Sequence, residues 1–137
     1  MTEPNPEQLP SMTAAELRSV TEYLGVSHAD LAEILGVDMR SVRRWFQGPM
    51  DGRTNSIPAG AESELVRLVA ETDAEVESLV KHLRAEANPV VVVFRGDSEM
   101  ISLAEGPIAR HPARWWRHVA ASAAAEVPGT RIAYMQE

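Results

Sequence analysis

Three arginines, Arg40, Arg43 and Arg44, fall within one eight-residue stretch between Met39 and Phe46 that holds no carboxylate, and Gln47 follows directly. A guanidinium presents planar paired donors, which fit the O6 and N7 edge of guanine or the oxygens of a phosphate. The chemistry on offer is therefore recognition by hydrogen bonding. Bond-making chemistry has much less to draw on. There is no cysteine, so thiol catalysis, disulfides and cysteine-based zinc sites are excluded. The histidines His28, His82, His111 and His118 show no metal-ligand spacing. No glycine-rich phosphate cradle occurs, and Ser98, between Asp97 and Glu99, reads as a helix start rather than a nucleophile. The expectation is a binding protein without enzymatic activity, cofactor or metal.

Charge is polarised along the chain. The formal net charge of −7 opposes nonspecific binding of polyanions. Against the basic segment at 40–44 stands the stretch from Glu62 to Glu77, with Glu62, Glu64, Glu71, Asp73, Glu75 and Glu77 opposed by Arg67. One small basic element on an acidic body is the pattern of a chain that touches nucleic acid in one place.

The elements that must position these groups follow from caps and periodicity. Residues 1–11, with Pro4, Pro6 and Pro10, read as a disordered lead-in. Thr13 and Glu16 form a capping box ahead of Leu17, Val20 and Leu24, and Gly25 stops that helix. Ser27 and Asp30 open a second helix with Leu31, Ala32, Ile34 and Leu35 inward, ended by Gly36. Asp38 caps a third, over about 39–47, with Met39, Val42, Trp45 and Phe46 as apolar positions. After a turn-rich loop from Gly48 to Pro58, the residues Leu65, Val69, Thr72, Val76, Leu79 and Leu83 form a heptad-like seam. That seam predicts one long helix, or two with a break at the Thr72–Asp73 capping box. Val90 to Phe94 reads as a strand buried on both faces. A short helix from about Ser98, a helix opened by Pro112 and a closing strand from Arg131 to Met135 complete the chain. The fold class expected is mainly α with a small α/β tail: a DNA-binding domain over 12–87 and a strand-helix-helix-strand dimerisation domain over 88–137.

The segment from His28 to Trp45 narrows the reading. Two helices joined by a turn of a few residues need a small residue on the first, glycine in the turn and a β-branched residue on the second. Ala32, Gly36 and Val42 stand at those places. Over roughly Met12 to Phe46 the sequence resembles the helix-turn-helix of the Cro/repressor-like, or XRE-type, regulators. The resemblance implies that the helix at about 39–47 enters the major groove of an operator. Arg40 and Arg44 are then assigned to base edges and Arg43 to base or phosphate, with Met39 and Gln47 on the same solvent-facing side. His28, where the class usually carries glutamine, is a pH-dependent phosphate donor, and Ser27 with the amides behind it is a phosphate site. Arg53, Thr54 and Asn55 in the following loop are expected on the DNA backbone.

From Ile57-Pro58 onward the layout, and patches such as PAGAESELVRL, resemble the anti-CRISPR-associated regulators. That resemblance implies a homodimer built through the tail and repression of the protein's own operon. Physics points the same way, because a two-stranded tail with an apolar strand leaves an edge and a face open. Val91, Val93, Trp115, Trp116 and Tyr134 are the expected interface. Trp115 and Trp116 point about 100° apart on one helix, so one is expected inside the subunit and the other at an interface or ligand surface. Two other uses of the tail stay open: holding a toxin, as an antitoxin does, or sensing a small ligand. No apolar run is long enough to span a membrane, and the acidic, proline-bearing start lacks the features of a signal peptide, so a cytoplasmic location is expected.

Overall fold

A computed structural model describes residues 12–104 and 107–135. The expected lead-in, residues 1–11, lies outside them. The chain is mainly helical, with a small two-stranded parallel sheet. In order run α1 (Ala14–Leu24), α2 (His28–Leu35), α3 (Met39–Gln47), α4 (Ala59–Arg84), β1 (Val90–Val93), α5 (Asp97–Leu103), a 3-10 turn (Pro107–Arg110), α6 (Ala113–Glu126) and β2 (Arg131–Tyr134). The described residues divide into two compact units, 12–23 with 27–68 and 24–26 with 69–104 and 107–135. The division falls inside α4. No described helix is long and apolar enough to cross a membrane.

In the first unit α1, α2 and α3 each begin where a side chain can satisfy a free amide. Thr13 accepts from the Glu16 amide at 3.1 Å while Glu16 accepts from the Thr13 amide at 3.2 Å. Ser27 and Asp30 make the same reciprocal pair at 3.0 and 2.9 Å. Leu17, Thr21, Leu31, Ala32, Val42, Trp45, Ile57, Leu65 and Leu68 are buried in this unit. Ile34, expected inward, is 37% exposed. The eight-residue α2 buries a narrow stripe centred on Leu31 and Ala32, and Ile34 falls to its side.

In the second unit α6 carries the core. The four residues of β1 alternate: Val91 and Val93 are buried, whereas Val90 and Val92 are 51% and 40% exposed. The strand is thus covered on one face, not on both as its composition led one to expect, because the helical layer packs on a single side of the sheet. Val90, Val91, Val92 and Val93 pair in parallel with Arg131, Ile132, Ala133 and Tyr134. Both adjacent tryptophans are buried within this unit. Trp115 is 1% exposed and its indole N–H donates to the Thr72 hydroxyl at 2.9 Å. Trp116 is 9% exposed and donates to the Val92 carbonyl at 2.8 Å, while Arg117 donates to the Phe94 carbonyl. Helix α6 sits between α4 and the outer edge of β1, so two directions about 100° apart both find partners, and the edge carbonyls are capped. Asp97 accepts from the Ala113 amide at 2.8 Å and so caps α6, whose N-cap residue, Pro112, offers no side-chain cap.

Helix α4 runs unbroken through Thr72, whose hydroxyl accepts from the buried Trp115 indole, and the capping-box pattern at 72–75 goes unused. Within α4 the buried positions are Leu65, Leu68, Thr72, Val80 and Leu83, with Val69, Val76 and Leu79 half-buried. Thr72→Val strands the Trp115 N–H in the core and should destabilise the protein by about 1–3 kcal/mol, whereas Thr72→Ser should recover most of that loss. Urea unfolding of the three proteins measures it.

Candidate nucleic-acid interface

Two helices and a three-residue turn set the geometry. Gly36 ends α2 with φ +66 and ψ +35, and the Val37 amide donates back to the Ala32 carbonyl at 3.0 Å. A Cβ placed on Gly36 would meet nothing within 4 Å, so the left-handed backbone, not crowding, is what demands glycine here. Asp38 then caps α3, accepting from the Ser41 amide at 2.7 Å. That bond, with Arg44 and Arg40 nearby, holds the Asp38 carboxyl below its ordinary value. Val42 is fully buried and Trp45 is 7% exposed, which turns the opposite side of α3 to solvent.

Arg40, Arg43, Arg44 and Gln47 occupy that side, all four exposed and at the i, i+3, i+4, i+7 spacing of one helical face. A second wall faces them. Met50 and Arg53 exchange backbone hydrogen bonds at 2.9 Å in both directions, closing a tight turn through Asp51 at φ +50 and Gly52 at φ +77. Two successive positive φ values are what an Asp-Gly turn accommodates. Asn55, itself at φ +50, donates its side-chain amide to the Gly48 carbonyl at 2.8 Å and ties the turn back to the end of α3. Helix and turn enclose an open cleft of about 540 Å³, lined by Arg40, Arg43, Arg44, Gln47, Met50, Asp51, Arg53 and Asn55. Four guanidiniums meet one carboxylate there, and none of the four is ion-paired to a described residue. The cleft can hold an anion against several fixed donors at once.

The residues singled out from the sequence are thus partly assembled. Arg40, Arg43, Arg44, Gln47, Arg53 and Asn55 line one cleft, although Asn55 spends an amide hydrogen on the loop itself. Thr54 is exposed but not among the lining residues, and Met39 is half-buried at the start of α3. Ser27 and His28 belong to the start of α2, where the Ser27 hydroxyl accepts from Asp30 and the Asp30 carboxylate already occupies the Ser27 amide. His28 is half-buried, its ring 4.0 Å from that of Phe46, with the Arg18 guanidinium 5.5 Å from the same phenyl ring. Met50 and Asp51 were not legible as lining residues, because the chain reversal that brings them round is set by backbone angles, and the Asp-Gly pair was its one signal. Of the expected interface residues, Val91, Val93, Trp115 and Trp116 are buried within the second unit and Tyr134 is half-buried, with Arg95 stacked 3.9 Å from its ring centre. No group of three or more metal-ligating side chains comes together among the described residues. No family model matches the sequence, and no curated protein matches it either.

The Asp38 cap titrates in a defined direction. A carboxyl whose folded value is depressed contributes stability above its unfolded value and loses it as pH falls through the folded one. Asp38→Ala should therefore lower the thermal midpoint at neutral pH, and the gap to the parent should close as pH drops below the usual aspartate range. Thermal unfolding followed from pH 7 downward checks both.

Proposed function

We propose that this chain is a sequence-specific DNA-binding regulator that lays α3 in the major groove. The observation that carries the reading is the cleft of Arg40, Arg43, Arg44 and Arg53, four guanidiniums free of ion pairs to described residues on an otherwise acidic chain. An α-helix about 10–12 Å across with its side chains suits a major groove about 12 Å wide, and α3 presents its arginines along one face. The capped pair α2 and α3 across a short glycine turn supports a helix-turn-helix of the Cro/repressor-like kind. In this reading Arg40 and Arg44 take base edges, Arg43 takes base or phosphate, and Arg53 grips the phosphate backbone beside the groove. Ser27 and His28 stand at the start of α2, where such proteins meet the flanking backbone.

The working form is a homodimer that represses its own operon from an inverted-repeat operator, with half-site centres about 34 Å apart. Its support is the second unit's sheet, which leaves Val90, Val92 and Ile132 exposed on two strands alone. Because Val91 and Val93 face inward, the dimer contact in this proposal passes to Val90 and Val92.

Binding titrations on the duplex upstream of the protein's own gene test the reading. Arg40→Ala or Arg44→Ala should each cost about 1–3 kcal/mol of specific binding per half-site. The thermal midpoint should stay nearly unchanged, because both side chains are exposed. Arg53→Ala should weaken all sequences alike and flatten the log–log salt dependence by about one per subunit. Parent-like binding by both Arg40→Ala and Arg44→Ala would contradict the assignment of α3. Val92→Glu should lower the mass measured by light scattering from dimer to monomer without unfolding the chain.

A further inference from the structure

The second unit holds a cleft of about 400 Å³ that plays no part in the DNA reading. Helix α4 supplies Glu71, Ala74 and Glu75, and the 3-10 turn and the residue after it supply Ile108, Arg110 and His111. Trp115 closes the floor, and the His111 ring lies 4.1 Å from the Trp115 ring, tilted by 32°. That stack fixes the imidazole as a wall of the cleft. Glu71 and Glu75 are one helical turn apart, where like charges repel, and Ala74 leaves the space beside them open. Neither glutamate makes a hydrogen bond or ion pair to a described residue. Burial lowers the pKa of His111, against the opposing pull of Glu71 and Glu75. Arg110, exposed at the rim, is the one fixed positive charge in the lining, which totals two negative charges against one positive.

A cavity with this lining asks for a single positive charge joined to an apolar body. The described residues offer no cluster of three metal ligands, so a bare metal ion is a poor occupant. We propose that this cleft is a binding site for a small organic cation. An ammonium or amidinium group lies between Glu71 and Glu75, and the apolar body rests on Ile108 and the His111 ring. The proposal is independent of the DNA reading, since no residue of the arginine cleft takes part.

The test is an NMR titration of the full chain with three probes of similar size: phenethylammonium, phenylacetate and 2-phenylethanol. The cation should shift the Trp115 indole resonance saturably, with a midpoint at or below about 1 mM, and leave the Trp45 indole unmoved. The anion and the alcohol should give no saturable shift. Glu71→Gln/Glu75→Gln should weaken the cation about tenfold or more while the rest of the spectrum stays native, and added salt should weaken it in the parent. Absence of a saturable shift, equal binding of the three probes, or undiminished binding by a folded double variant would each overturn the site. None of these readouts involves DNA, so failure here and failure of the DNA reading are told apart.

Discussion

The left-handed turn at Gly36 is the constraint from which the candidate interface follows. One residue at φ +66 allows α2 to stop and α3 to start within three residues, and the Asp38 carboxylate fixes where α3 begins. Once the start and the buried pair Val42 and Trp45 are set, the helical period decides the rest. Arg40, Arg43, Arg44 and Gln47 have no choice but the opposite face. A residue with a Cβ at position 36 would meet no neighbour, so the cost of replacing it is one of backbone angle, transmitted to four side chains that it never touches.

The electrostatics of the first unit are organised round the same helix. Asp38 sits at the end of α3 where the helix dipole favours a negative charge, and its carboxyl is held down by the Ser41 amide before any arginine contributes. The arginines are thereby left to the solvent side. The Met50–Arg53 turn adds a fourth guanidinium from outside the helix, which converts a charged stripe into a concave site. In the second unit the order is reversed. There Glu71 and Glu75 of α4 border the cleft, and the aromatic groups beside them are pinned by Thr72 and by one another.

Much of this was legible in the sequence, and what was not has a physical cause. The capping pairs Thr13–Glu16 and Ser27–Asp30 are local, three residues apart, and their chemistry does not depend on tertiary context. The same pattern at Thr72 and Glu75 left one long helix or two open, and α4 is continuous through it, with the Thr72 hydroxyl accepting from Trp115, 43 residues away. The valine run at 90–93 carries no alternation of residue type, so its half-exposed state follows only from which side the helical layer packs. The arginines at 40, 43 and 44 were identifiable by type and spacing. The contribution of Arg53 to their cleft depends on a reversal at Asp51–Gly52 and on the Asn55 tie, neither of which has a periodicity to read.

The central claim is that α3 reads a defined DNA sequence. Selection of bound duplexes from a random library by the purified full-length protein tests it most directly. The account predicts enrichment of an inverted repeat with guanines placed for Arg40 and Arg44 and half-site centres about one helical turn apart. Recovery of a library no different in sequence from the input, at salt concentrations where the protein is folded, would contradict it.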